Sequence, residues 1–193
     1  MIQQITLRPA TINDAPAIAE VIHCAIGDEA ASRDYCGENY LEVLSAVARA
    51  ENTQYSWVNA IVAECDGKIV GGVVGYDGAL LKPLRKGTLD IIRQLVGRAP
   101  SIPDETDDSE YYLDSVAVHE DFRGRGIGKL LVEAFCNKAF DAGAQRVGLI
   151  VDVEHPDAQK VYTSVGFRAV GQRMFFGHKM HHLQRMRTCD TQN

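Results

Sequence analysis

The chain has 193 residues, 46% hydrophobic and 24% charged, with 20 Lys and Arg against 26 Asp and Glu. That length suits about one domain, 1–193, able to bury roughly 70% of its unfolded surface without disulfide or metal staples. This composition excludes a largely disordered chain, and the net charge of -6 argues against a general nucleic-acid binder.

Ile2 to Arg8 alternates like a first strand, and Thr11 to Asp14 reads as a helix start. Ile18, Val21, Ile22, Ala25 and Ile26 follow at helical spacing. A second helix is expected from Glu38 to Ala50, with Leu41, Leu44, Val47 and Ala48 on one side. Two apolar runs, Trp57 to Cys65 and Lys68 to Tyr76, flank Asp66-Gly67, a strong hairpin signal. Gly71, Gly72 and Gly75 suggest a bulge or a close approach by backbone or ligand.

Asp77 to Ser109 reads as a surface insertion in the one domain, with a helix from Leu84 to Val96 and then an acidic run, Asp104 to Glu110. That run is either a solvated loop or an attractor for a cationic substrate. Tyr111 to Val118 is expected as a strand, Gly126 to Ala142 as a helix and Val147 to Val153 as a strand. A short helix, Ala158 to Val165, and two strands, Phe167 to Phe176 and Lys179 to Gln184, complete a mixed α/β domain.

No apolar run reaches the ~18–20 residues of a membrane helix, and the N-terminus lacks a signal-peptide pattern. Cys24, Cys36, Cys65, Cys136 and Cys189 are odd in number and form no CxxC pair, which suits free thiols in a reducing cytoplasm. His178, His181 and His182 do not fit one metal, since His181 and His182 point to opposite faces of a strand. Phe175, Phe176 and Met180 suit the core or a subunit contact, and the sequence leaves a homodimer open.

The segment Val116-Ala117-Val118-His119-Glu120-Asp121-Phe122-Arg123-Gly124-Arg125-Gly126-Ile127-Gly128-Lys129 is the most informative. A strand runs into a glycine-rich turn that opens a helix. Backbone N–H groups can converge there, next to the positive end of the helix, to hold a phosphate or pyrophosphate. Arg123, Arg125 and Lys129 add positive charge. A Walker A loop would need another spacing and a hydroxyl residue after the lysine, where this chain has Leu130. A dinucleotide fold would need GxGxxG after the first strand.

The pattern Arg123-x-x-Gly126-x-Gly128 resembles the coenzyme A pyrophosphate loop of the GNAT acetyltransferase superfamily. The resemblance runs over nearly the whole chain. Ile5 to Ala10 is similar to the family's first strand, and Ile69-Val70-Gly71-Gly72 to its central antiparallel pair. Ala158-Gln159-Lys160-Val161-Tyr162-Thr163-Ser164-Val165-Gly166-Phe167 is similar to the A-x-x-L-Y-x-x-x-G-F signature. The family often has Asn where this chain has His155, which would either bond the pantetheine arm or face solvent beside Pro156.

The resemblance implies a mostly antiparallel central sheet flanked by helices. It also implies acetyl transfer from acetyl-CoA to a primary amine of a small molecule or peptide within a ternary complex, with no metal. An acyl-CoA-binding sensor without turnover is the alternative reading. Residues 123–129 would bind the pyrophosphate, and the backbone of Val116, Ala117 and Val118 the pantetheine and the oxyanion. Tyr162 would protonate the departing thiolate. An alkyl amine with a pKa of ~10.4 has about one molecule in 2,500 free at pH 7, a cost of about 4.6 kcal/mol, so a general base helps. Tyr112, Asp114 and Val116 alternate on one strand face. Asp114 is the first candidate base and Glu110 the second; Asp114 also reads as a structural carboxylate.

Overall fold

The structure is a computed structural model that describes residues 4–188. Ile2, which opens the expected first strand, and Cys189 lie outside the described residues. Seven strands form one sheet: β1 (Ile5–Pro9), β2 (Ala60–Cys65), β3 (Lys68–Asp77), β4 (Tyr111–Val118), β5 (Arg146–Asp152), β6 (Arg168–Phe175) and β7 (His178–Met186). Their order is β1-β2-β3-β4-β5-β7-β6, and only β4 and β5 run parallel. This mixed α/β sheet lacks the repeated parallel units of a dinucleotide fold. No helix among the described residues is long and apolar enough to cross a membrane.

The helices are α1 (Ala15–Ile26), α2 (Glu29–Cys36), α3 (Tyr40–Arg49), α4 (Leu81–Val96), α5 (Ile127–Asp141) and α6 (Pro156–Ser164). Strand alternation divides the apolar residues between two layers. In β2, Ile61, Ala63 and Cys65 join Leu131, Val132, Phe135 and Ala139 of α5. Ala60 and Val62 join Ile18 and Ile22 of α1, Leu44 and Val47 of α3 and Ile92 of α4. The Asp66-Gly67 turn has both residues at positive φ, as a two-residue hairpin requires.

Four expectations are corrected. The helix expected from Glu38 starts at Tyr40 and buries Val43 in place of Leu41, which is exposed; α2, a polar helix with weak apolar spacing, precedes it. Trp57–Asn59 forms a 3-10 turn, capped by the Ser56 hydroxyl accepting from Val58 N, so β2 begins only at Ala60. The helix in 77–109 starts at Leu81 and packs on α3, burying Leu81, Arg85, Thr88 and Ile92. The acidic run is solvated only in part: Asp104, Asp107, Asp108 and Ser109 are exposed, but Glu105, Thr106 and Glu110 are buried, because Arg85, His182 and Thr106 meet the carboxylate oxygens.

Candidate active site

β4 and β5 pair only at Tyr111–Val147 and Tyr112–Gly148. Beyond that, β4 keeps its partner β3 and β5 keeps β7, so a cleft opens between the two parallel strands. The side of β4 facing β5 has no partner strand from Leu113 to Val118. Its main-chain groups are available to an extended ligand.

A bulge shapes this wall. Val74 pairs with Ser115 and Gly75 with Leu113, so Asp114 is the extra residue in β4. A side chain at residue 75 would collide with the Tyr112 carbonyl and the Phe135 ring. The bulge resets the alternation expected for Tyr112, Asp114 and Val116. Leu113 and Val116 both pack on the α5 layer, while Tyr112 packs with Tyr76 on the other. Asp114 lies on the Tyr76 side, where its charge meets Tyr76, Arg85 and Glu105. The Ser115 hydroxyl donates to its Oδ1 at 2.8 Å. Burial, reinforced by the nearby Glu105 charge, pushes the Asp114 carboxyl up to about 7.

Glu110 has a different environment. Its carboxylate accepts from His182 Nε2 at 2.9 Å, Gln184 Nε2 at 2.7 Å and the Thr106 hydroxyl at 2.9 Å. Burial would raise its pKa, but these donors outweigh it and hold it below the usual range. Its acceptor positions are committed to the protein, so it clamps the closed end of the cleft and is poorly placed to take a substrate proton.

The glycine loop leaves the open end of β4. His119 N–H donates to Val70 at 2.9 Å, and a 3-10 turn, Glu120–Phe122, follows. Gly124 and Gly126 have φ of 75° and 79°, which only glycine adopts without strain. Gly126 caps α5, whose first return bond runs from Leu130 N–H to the Gly126 carbonyl. The N–H groups of Ile127, Gly128 and Lys129 therefore lack intrahelical acceptors. Gly128 has open space around it, with Val118 as its nearest neighbour. Arg123 Nε donates to the Val118 carbonyl at 3.1 Å. Arg125 lies 4.7 Å from the Phe122 ring centroid. Both arginines and Lys129 are exposed, and they add positive charge to this loop and the start of α5.

Across the cleft, α6 follows β5. Tyr162 packs against the α5 layer, with its ring 5.9 Å from Phe167. Burial pushes its hydroxyl up to about 12, so it stays protonated at working pH. The hydroxyl has no protein hydrogen-bond partner among the described residues. His155 caps α6 through its carbonyl, which accepts from Gln159 N–H at 3.3 Å, and its side chain is exposed. Pro156 is the first residue of the helix.

Sequence reading missed Glu105, Tyr76, Arg85 and Gln54, which gather beside Asp114. The acidic run containing Glu105 was visible, but its partners lie 20 to 51 positions away in the chain.

The acetyltransferase (GNAT) family model matches residues 29–167. A crystal structure described as an acetyltransferase is 30% identical, with a TM-score of 0.80, covering 94% of this chain and 98% of its own. An N-acetyltransferase from Staphylococcus aureus Mu50 shares the fold at 23% identity, with a TM-score of 0.78 and coverage of 93% and 99%. So does yncA from Salmonella typhimurium, solved with its cofactor acetyl-CoA, at 17% identity, with a TM-score of 0.59 and coverage of 98% and 99%. No curated protein matches the chain. The chain belongs to the GNAT acetyltransferase family.

Proposed function

We propose that this single domain moves an acetyl group from acetyl-CoA to a primary amine of a small molecule or peptide, by direct transfer in a ternary complex. The observation that carries this reading is the cleft between β4 and β5, with Asp114 in β4 and Tyr162 in α6, the helix that follows β5. The loop suits the cosubstrate: its N–H groups and Arg123, Gly124, Arg125, Gly126, Ile127, Gly128 and Lys129 would hold the pyrophosphate. The unpaired edge of β4 at Val116, Ala117 and Val118 would hold the pantetheine amides as an added strand. His155, exposed beyond β5, contributes at most to the mouth of this site.

Asp114 takes a proton from the acceptor ammonium, directly or through water. The amine lone pair forms the C–N bond at the thioester carbonyl, and N–H groups of β4 stabilise the oxyanion. The C–S bond breaks and the sulfur takes the Tyr162 proton, which solvent then restores. Asp114 passes its first proton to solvent and then takes the second amine proton, so that the amide is neutral and one proton is released overall.

Calorimetric titration with acetyl-CoA, with NADH and ATP as controls, tests the first half. The expected result is binding of acetyl-CoA alone. Thiol release with a panel of amines tests the second half; a folded protein that binds acetyl-CoA but acetylates none of them would overturn the reading.

A further inference from the structure

Beside the cleft lies a group of polar side chains that the transfer steps leave unused. Gln54, Tyr76, Arg85 and Glu105 come from four separate stretches of chain, yet their exposures are 1%, 1%, 6% and 4%. Glu105 is the hub. Arg85 Nη2 donates to its Oε2. Its Oε1 accepts from the Tyr76 hydroxyl at 2.7 Å and from Gln54 Nε2 at 3.0 Å. Gln54 Nε2 also donates to the Tyr76 oxygen at 2.9 Å. Arg85 Nη1 reaches Asp104 at 2.7 Å and the Ile102 carbonyl at 3.2 Å.

Burying an ion pair is costly, and apolar residues of similar volume often hold a fold as well. A role beyond packing is therefore the better account of this group, and its position supplies one. The Tyr76 hydroxyl that donates to Glu105 also faces the Asp114 carboxylate. It has one proton to give and two carboxylates to serve. Asp114 sits at the bulge beside the Tyr76–Tyr112 pair of β3 and β4 and accepts from Ser115, and the other groups whose charge bears on it are Tyr35 of α2, Tyr55 after α3, Arg85 of α4 and Glu105. Arg85 is the only positively charged group among these, and it is held by Glu105.

We propose that Glu105 is a positioning residue for Asp114: it takes up the Arg85 charge and shares the Tyr76 hydroxyl, so that Asp114 stands unpaired and can pass protons. The inference rests on Asp114 as the base. Without Glu105, Arg85 would be free to lock Asp114 into a permanent ion pair, and an ion-paired carboxylate is a poor base near neutral pH. Without the Tyr76 hydroxyl, the charged form of Asp114 would lose a donor.

The two substitutions should therefore move Asp114 in opposite directions. The test is a carbon-13 NMR titration of the full chain labelled at aspartate carboxyls, with the Asp114 signal assigned by its loss in Asp114→Asn. In the unsubstituted protein Asp114 should titrate near neutral pH. Glu105→Gln should lower that midpoint by about one unit or more, and Tyr76→Phe should raise it. A general loosening of the site would shift both variants the same way or lower turnover at every pH alike. Unmoved midpoints in both variants, or movement in one direction only, would overturn the proposal. If Glu105→Gln does not fold, Glu105→Asp, which draws the carboxylate back from Arg85 and Tyr76, is titrated in its place: a lowered midpoint supports the proposal and an unmoved one overturns it. Turnover of Asp114→Asn with the amine panel is read separately. Full turnover there would remove Asp114 as base, whatever the titration shows.

Discussion

The Glu110 carboxylate occupies the space in which a side chain on Gly148 would begin. The two residues meet where β4 and β5 last pair, and the same carboxylate reaches on to His182 and Gln184 of β7. One residue thus ties three strands together just below the cleft. Gly148→Ala should push Glu110 off its donors and destabilise the protein by about 2–4 kcal/mol, the scale of a broken buried network. Urea unfolding would measure it. Glu110 also carries a pH signature. Its folded-state pKa lies below the ordinary value, so its stabilisation is present above about 4.5 and is lost as pH falls through the folded value. Glu110→Gln should be less stable than the unsubstituted protein at pH 7, and the gap should narrow in acid.

Much of this arrangement was legible because its signals are local. β4 was read from Tyr111 to Val118 and is found there, bounded by the acidic run and the loop. The Asp66-Gly67 turn and the glycine loop carry their conformations within a few residues. What was not legible depends on partners far away in the chain. The glycines of β3 signal a bulge or close approach, and Gly75 does pass the Tyr112 carbonyl and the Phe135 ring, but nothing in the pattern of β4 marks Asp114 as the extra residue. Glu105 reads as one more solvated acid until Gln54, Tyr76 and Arg85 enclose it. Helix α2 escaped because its residues are mostly polar and only Ser32 and Cys36 are buried.

At the opposite edge of the domain, Asp14 stabilises the entry to α1. Its carboxylate accepts from Arg8 at 2.7 Å and 3.0 Å, and from Thr11 N–H at 2.7 Å. The Arg8 guanidinium holds the Asp14 carboxyl down to about 2. Because the folded pKa is depressed, this stability is present above about 3.8 and fades as pH falls toward about 2. Asp14→Asn should cost about 1–2 kcal/mol at pH 7, after discounting for solvent near the partly exposed Arg8, and almost nothing at pH 2. Thermal melts at the two pH values would show whether the gap closes.

The loop makes a separable prediction. Gly126 has φ 79° and open space where a Cβ would stand, so Gly126→Ala brings strain without a clash. The cost to stability should be about 1–2 kcal/mol. Its N–H direction should suffer more, and the Kd for acetyl-CoA should rise at least about tenfold, equivalent to ~1.4 kcal/mol. Arg123→Ala should also weaken binding, and the loss should shrink at high salt because the residue is exposed. Calorimetry at two salt concentrations would separate the two variants. Equal salt dependence would mean that Arg123 acts by holding Val118 rather than by its charge.

Tyr162 should matter for chemistry and not for affinity. Its ring packs beside Phe167, and Tyr162→Phe keeps that contact while removing the hydroxyl. Affinity for acetyl-CoA should therefore stay within about twofold, while kcat falls about 10²-fold or more, the range of a lost acid. With its pKa pushed up to about 12, Tyr162 should produce no alkaline fall in rate over the pH range of ordinary assays. Unchanged kcat in Tyr162→Phe would return the residue to a packing role.

Asp114 should trade stability for activity, in the opposite sense to Asp14. Its folded pKa, about 7, lies above its ordinary value of 3.8, so the fold favours the protonated form. The stabilisation is complete below about 3.8 and is lost as pH rises through about 7. At pH 8 the ionised group opposes folding, so Asp114→Asn should make the protein more stable there, by up to about 4 kcal/mol for such a shift at ~1.36 kcal/mol per unit. The gain should vanish near pH 4. The same substitution should cut turnover about 10²-fold or more, and the unsubstituted enzyme should lose rate as pH falls through about 7. Melting temperatures and turnover of the one variant at pH 4 to 8 test both halves. A variant that is inactive and also less stable at pH 8 would show that Asp114 braces the bulge instead of waiting there for a proton.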